Sequence, residues 1–184
     1  MAKPASQQLR IIGGQWRSRR LRFPAIDGLR PTLDRVRETL FNWLQFDVEG
    51  ARVLDAFAGS GALGFEALSR GAKEVVFLEK NPSAAVQLKE NLQTLGARNA
   101  QIWAGDALNW LKQNPEPYDL VFLDPPFGLK LLQPAIDSLT LLPGALVYVE
   151  HETGLQLQLP PNWQELKQKQ TKEFCFRLFQ VEAG

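Results

Sequence analysis

Val53-Leu-Asp-Ala-Phe-Ala-Gly-Ser-Gly-Ala-Leu-Gly64 is the stretch on which the reading of this chain turns. Arg52 to Asp55 predicts a buried strand, Ala58 to Gly61 a tight glycine-rich turn, and a helix is expected to open at Ser60 or Gly61. Gly59, Gly61 and Gly64 satisfy G-x-G-x-x-G, the spacing with which a backbone turns sharply and approaches a ligand closely. That spacing alone serves several nucleotide-derived ligands. The discriminating residue is Asp55, a carboxylate at the strand end four positions before the first glycine. A pyrophosphate resting on the following helix N-terminus would be repelled by it unless a cation intervened. A ligand that carries an ammonium and no phosphate would be tolerated or held, and S-adenosylmethionine (SAM) is such a ligand.

Downstream, the pattern alternates. Strands are expected at 52–55, 74–79, 100–103, 118–123 and 145–150, with helices near 61–69, 82–95, 106–113 and 131–141. Val75-Val-Phe-Leu78 and Leu120-Val-Phe-Leu123 are continuously apolar, as strands covered on both faces are. Such alternation predicts an α/β doubly wound, mostly parallel sheet whose ligands bind at the carboxyl ends of the strands. Residues 163–170 and 174–181 read as two strands with no helix between them, an antiparallel pair at one side of the sheet. The division expected is an N-terminal basic hairpin and helix over 1–50 and a SAM-binding domain over 51–184.

Four of the five central strands end at or beside a carboxylate: Asp55, Glu79, Asp106 and Asp124. Glu79 can accept both ribose hydroxyls of a nucleoside, with Lys80 following it. Asp106 can accept from an adenine amino group, with the Asp106 and Ala107 backbone N–H groups opposite the ring nitrogens. Asp55, or the neighbouring backbone of Ala56 and Phe57, can take an ammonium beside Gly59, Ser60 and Gly61. Acids at strand ends also cap the next helix, so any one of them has a purely structural explanation. Glu79 in addition fits the acid that NAD sites place about 20 residues beyond their glycines.

The separate discriminator is Asp124-Pro125-Pro126-Phe127. Two consecutive prolines donate no hydrogen bonds and fix their own φ, which leaves the Asp124 and Pro125 carbonyls in a rigid turn. With the Asp124 carboxylate they form acceptors for an exocyclic NH2, and Phe127 can stack on the ring that carries it. Accepting those hydrogens localises the nitrogen lone pair and aims it at a sulfonium methyl, so that orientation and preplaced dipoles supply the acceleration. SAM is already activated, and no metal is called for.

The net charge of +1 conceals an asymmetry. Residues 1–40 hold nine basic side chains, eight of them arginine, against three acidic ones, so this segment carries +6 and the remainder −5. Segregated arginine suits bidentate phosphate contacts and a nucleic-acid partner. Residues 1–8 read as disordered. Leu9 to Phe23 suggests two short strands around a Gly13-Gly14 turn, with Arg17, Arg19 and Arg20 crowded on the far side and Arg10 at its start. Trp16 either stacks on an RNA base or packs in the core. In Arg30 to Leu44, Thr32 or Asp34 can cap a helix whose apolar stripe is Val36, Leu40, Phe41, Trp43 and Leu44, while Arg30, Thr32, Arg37 and Asn42 could reach a neighbouring pocket.

These residues resemble the class I SAM-dependent methyltransferases, and within them the amino-methylating group with an (Asn/Asp)-Pro-Pro-(Phe/Tyr) motif. Arg10-Ile-Ile-Gly-Gly-Gln-Trp-Arg17, Arg30-Pro-Thr-Leu-Asp-Arg-Val-Arg-Glu-Thr-Leu-Phe-Asn-Trp-Leu44, the stretch from Leu54 to Gly71 and Val121-Phe-Leu-Asp-Pro-Pro-Phe127 are together similar to the RsmD family, bacterial 16S rRNA guanine-N2 methyltransferases acting on guanine 966 in the usual nucleotide numbering. The resemblance spans about Leu9 to Phe179. It implies a Rossmann-like methyltransferase fold, SAM as cofactor and an Arg30–Asn42 segment that helps close its pocket. It also implies an early hairpin that touches RNA and an assembled or partly assembled small ribosomal subunit as substrate.

Three rivals stand beside that reading. The same class of enzyme could act on adenine N6 or a glutamine amide, although the basic hairpin disfavours a protein acceptor. A dinucleotide-dependent oxidoreductase leaves Asp55 and the Asp-Pro-Pro-Phe turn unexplained. A non-catalytic RNA-binding assembly factor could retain a nucleoside pocket. The lone Cys175 allows no internal disulfide and no cysteine-based metal site, and reads as a packed apolar residue. His151 reads as an edge residue without a role. With no apolar run of membrane-span length and no signal peptide, a cytoplasmic protein acting as a monomer is expected.

Overall fold

The structure, a computed structural model, describes residues 6–26 and 32–184. Its elements in chain order are β1 (Ser6–Arg10), β2 (Arg20–Pro24), α1 (Asp34–Trp43), β3 (Arg52–Asp55), α2 (Ala62–Ser69), β4 (Glu74–Glu79), α3 (Pro82–Leu95) and β5 (Ala100–Ala104). There follow α4 (Ala107–Gln113), β6 (Leu120–Leu123), α5 (Leu132–Ser138), β7 (Leu146–Glu152), β8 (Trp163–Gln170) and β9 (Phe174–Val181). Seven strands form one sheet in the order β5-β4-β3-β6-β7-β9-β8, and β1 and β2 form a separate antiparallel ribbon. β3 to β7 run parallel, while β9 lies antiparallel to both β7 and β8. The doubly wound sheet with an antiparallel C-terminal pair is therefore the observed architecture.

Helices cover both faces because the parallel strands are apolar on both. Val53, Val75, Phe77, Leu120, Phe122 and Tyr148 join one core with α1, α2 and α3, and this core also receives Leu9, Ile11, Leu21 and Phe23 from the N-terminal segment. Leu54, Val76, Leu78, Val121, Leu123, Val147 and Val149 face the other way, toward α4 and α5. Local chemistry sets the helix ends. At the start of α3, Asn81 accepts from the Ala84 N–H at 3.1 Å with Pro82 in the first turn, and Gly96 at φ 68° ends the helix.

The N-terminal ribbon differs from its expectation. β1 already begins at Ser6, so residues 6–8 are ordered strand, and the strands stop at Arg10 and resume at Arg20 rather than meeting at Gly13-Gly14. Residues 11–19 instead dock on α2, which has better partners to offer than a short turn. Glu66, wholly buried, accepts from the Ile12 and Gly13 N–H groups, each at 2.9 Å, and from the Arg37 and Arg70 guanidiniums at 3.2 and 2.8 Å. Ser69 Oγ donates to the Gly13 carbonyl at 2.6 Å and accepts from the Trp16 N–H at 3.0 Å. Gly14 sits at φ +78°, and a Cβ there would overlap the Ser69 carbonyl oxygen, so only glycine lets the two backbones approach.

Neither Thr32 nor Asp34 caps α1: the cap position is Leu33, without a side-chain bond, because Asp34 pairs with Arg37 and Arg10 while Thr32 turns toward β6. Arg37 is 1% exposed, drawn into the core by Glu66 instead of reaching a pocket. Trp43 packs on Phe176, ring centroids 5.5 Å apart. His151 is not an edge residue. β7 is flanked by β6 and β9, so His151 is buried, its Nδ1 2.9 Å from the Glu152 carbonyl. Cys175 is buried on β9, as its apolar surroundings in sequence suggested. Arg30 lies outside the described residues.

Candidate active site

The strand order reverses at β3, with β4 on one side and β6 on the other, and such a switch point opens a crevice beyond the strand ends. A cavity of about 960 Å3 occupies that position. The glycine loop forms its floor. Gly59 and Gly61 hold φ of 57° and 81°, and Gly61 precedes α2. Gly64 lies close under β4, where an added Cβ would collide with the Phe77 ring.

Asp55 is 2% exposed and accepts from the Gly64 N–H at 3.0 Å, tying the strand end to the first turn of α2. Burial pushes its carboxyl up to about 7; the Gly64 bond opposes that shift and the Glu79 charge adds to it. Glu79 is half-buried, its two oxygens accepting from the Gly59 N–H at 2.7 Å and the Asn81 N–H at 2.9 Å. The carboxylate is thereby fixed at the cavity wall. Asp106 is the N-cap of α4, accepting from the Leu108 N–H at 3.4 Å, and also lines the cavity; capping and lining coexist. At the far end, Thr32 Oγ1 donates to Asp124 Oδ2 at 3.2 Å.

The cavity brings together Asp55, Ala56, Phe57, Gly59, Ser60, Glu79, Lys80, Asp106, Ala107, Thr32, Asp124, Pro125 and Pro126. Three expected members are elsewhere. Asn42 is exposed on α1 and is not part of the wall, because the helix turns its Val36–Leu40 face to the core. Gly61 shapes the turn from beneath, against Phe65 and Leu88. Phe127 packs against the core and lines an adjoining cavity of about 260 Å3 that shares Pro125, Pro126, Leu131 and Glu150 with the larger one.

Glu150, Glu173 and Phe174 also line the main cavity, and sequence reasoning passed over them. For Glu150 the signal was present: like the other strand ends, β7 carries an acid where it meets the cavity. Glu173 and Phe174 arrive through the β8–β9 connection, which no local pattern announces. Among the described residues the wall thus holds six carboxylates and one cation, Lys80.

On the ribbon, Arg17, Arg19 and Arg20 are exposed, and Arg10 stands 3.8 Å from Asp34 with half its side chain in solvent. Trp16 is partly buried against the core, closer to the packing alternative than to a free stacking platform. Among the described residues no cluster of His, Cys, Asp or Glu could hold a metal, and no helix is long and apolar enough to cross a membrane.

A family profile described as "Conserved hypothetical protein 95" matches residues 9–180. Ribosomal RNA small subunit methyltransferase D of Haemophilus influenzae is 50% identical over 184 residues, covering 96% of this chain and 95% of that protein. The chain belongs to the RsmD family. The RsmD relative from Escherichia coli is 47% identical and covers 100% of this chain and 96% of its own. A solved structure from that organism, described as the putative methyltransferase yhhF, superposes with a TM-score of 0.88 at 46% identity over 97% of this chain and 100% of that one. The Thermus thermophilus 16S rRNA N2 methyltransferase RsmC, solved with AdoMet and guanosine, shares the fold at TM-score 0.72 and 21% identity, over 97% of this chain and 50% of that one. The RsmD motifs at Arg10–Arg17, Leu54–Gly71 and Val121–Phe127 all fall within the matched span.

Proposed function

We propose that this chain transfers the methyl group of SAM to the exocyclic N2 of a guanine in 16S rRNA, guanine 966 in the usual numbering, with the assembled or assembling small subunit as substrate. Membership in the family makes it an rRNA methyltransferase with SAM as cofactor, and the position and nucleotide are our reading. The observation that carries it is the sharing of one cavity by the glycine loop, the acids of β3, β4 and α4, and the Asp124-Pro125-Pro126 turn.

Bound SAM supplies a methyl group already activated by its sulfonium. Glu79, held by the Gly59 and Asn81 N–H groups, would take the ribose hydroxyls beside Lys80. Asp106 and the Ala107 N–H would read the adenine edge, and the Asp55 end with Ala56 and Phe57 would receive the ammonium. Fixed carboxylates and backbone groups need little rearrangement on binding, which is what orientation catalysis demands. At the acceptor end, the Asp124 carboxylate and the Asp124 and Pro125 carbonyls accept the N2 hydrogens. They localise the nitrogen lone pair in the line of attack, and Asp124 is positioned to take the proton released once the new N–C bond forms. Stacking of Phe127 on the acceptor ring would require the phenyl ring to leave its place against the core beside the adjoining cavity. Arg10, Arg17, Arg19 and Arg20, with Trp16 behind them, would hold the RNA backbone.

Transfer of labelled methyl from SAM to small subunits, naked 16S rRNA, DNA and protein, followed by nucleoside analysis, tests this reading. Label in N2-methylguanosine from the small-subunit arm is the expected result. Label in N6-methyladenine or in glutamine would move the activity to another acceptor of the same class.

A further inference from the structure

We propose that Glu150 is the residue that selects guanine, by accepting the N1–H of the acceptor base while Asp124 accepts from its 2-amino group; the inference rests on the guanine-N2 reading above. Leu123 of β6 pairs in register with Val149 of β7, so Asp124, directly after the end of β6, and Glu150 on β7 follow a registered pair of adjacent parallel strands. Strands so paired lie about 4.8 Å apart, the scale on which two groups of one base edge can be met together. Both residues line the acceptor end of the main cavity, and Glu150 also lines the adjoining one that opens beside Phe127. Glu150 is 5% exposed, so a donor that reaches it from the cavity meets it away from bulk water, where a hydrogen bond is electrostatically stronger. Tyr148 Oη donates to Glu150 Oε2 at 3.0 Å and sets the orientation of the carboxyl group. The Tyr148 ring is itself fixed edge-on against Phe122, 6.3 Å between centroids.

The chemistry of the purines supplies the rest. The Watson–Crick edge of guanine presents two neighbouring donors, N1–H and N2–H2. Adenine presents a donor beside an acceptor. Two carboxylates side by side match the first edge and set a lone pair against a lone pair in the second. A site built to accept a particular N–H rejects an analogue that lacks it far more strongly than one built on shape, because its buried acceptor is left unpaired.

The test compares single-turnover methylation of reconstituted small subunits carrying either guanine or 2-aminopurine at the modified position. 2-Aminopurine keeps the 2-amino acceptor but has a lone pair at N1. Wild type should methylate guanine about 10- to 100-fold faster, as one well-placed base contact discriminates. In Glu150→Gln the amide can donate to N1 of 2-aminopurine, so the guanine to 2-aminopurine ratio should fall at least about tenfold, while the affinity for SAM, read by calorimetry, stays within about twofold. Tyr148→Phe keeps Glu150 and the ring packing but removes the hydroxyl that orients the carboxylate. It should move the ratio in the same direction by less, and it decides the matter if the first variant does not fold. Guanine methylation by wild type, with the ratio unchanged in the folded variants, overturns the assignment of Glu150 alone. Absence of label on guanine N2 in wild type overturns the functional reading and this inference with it.

Discussion

Thr32 Oγ1 donates a hydrogen bond of 3.2 Å to Asp124 Oδ2, joining residues 92 positions apart at one end of the cavity. Thr32, two positions before α1, thereby helps orient the carboxylate that the proposed transfer uses. Thr32→Val keeps the shape and removes the donor. The loss of one such bond is worth about 1 kcal/mol, so a roughly fivefold fall in the single-turnover methylation rate is expected, with SAM affinity little changed. Rapid-quench kinetics beside calorimetric titration check it.

Asp124→Ala should separate chemistry from donor binding. Turnover is expected to fall by about two orders of magnitude or more, on the scale of losing an oriented electrostatic group, while SAM binding changes by far less. Parallel measurement of kcat and of the SAM dissociation constant decides it. Equal losses in the two would count against placing Asp124 at the acceptor.

Glu66 holds four donors without exposure to water, so its truncation leaves Arg37 charged and buried. Glu66→Ala is expected to cost about 3–5 kcal/mol in denaturant unfolding. Adding Arg37→Met should recover part of that loss, since the buried guanidinium, then held by Asp34 alone, is gone. Strictly additive losses would show that the two charges do not act as a pair.

Asp55 gives a pH dependence with a defined sign. Its folded value, about 7, lies above its ordinary value of 3.8, so across that interval the folded state retains a proton that the unfolded state has released. Stability from this group is complete below pH 3.8 and declines as pH rises to about 7, beyond which its contribution is flat. Asp55→Asn should therefore flatten the fall in unfolding free energy between about pH 4 and 7, measured by urea titration of both proteins across that range. A difference curve without slope in that window would refute the assignment.

Arg17, Arg19 and Arg20 project into solvent from the segment that Glu66 and Ser69 anchor. Replacing all three with alanine should leave the melting temperature nearly unchanged. It should weaken RNA binding and reduce the slope of log K against log salt by about 2, near 0.7 for each phosphate no longer neutralised. Filter binding at several salt concentrations measures this. Gly14→Ala makes the complementary case: RNA binding should weaken because the loop cannot seat on Ser69, although no charge has been removed.

Much of this was legible in the chain as written. Strand-like and helix-like periodicities are local, so β3, β4 and α3 fall on the boundaries read from sequence, and the glycine loop and Asp124-Pro125-Pro126 line one cavity at the carboxyl end of the sheet. The first fifty residues were read less well. A Gly-Gly pair signals a turn, yet Gly14 is a contact point with Ser69, 55 positions further on. Arg37 and Asn42 both looked polar and available; helix rotation put the first in the core and the second in solvent.

By its residue types and spacing alone, the sequence determined the α/β class, the glycine loop, the Asp-Pro-Pro-Phe turn and the basic character of the N-terminal arm, because each depends on side chains within one turn or one strand of each other. Only the tertiary structure decided that Glu66 would become the anchor of that arm, that His151 would be interior, and that Glu150 would stand beside Asp124. Those outcomes follow from sheet order and strand register, which place residues side by side according to the packing of whole elements and not according to their distance along the chain.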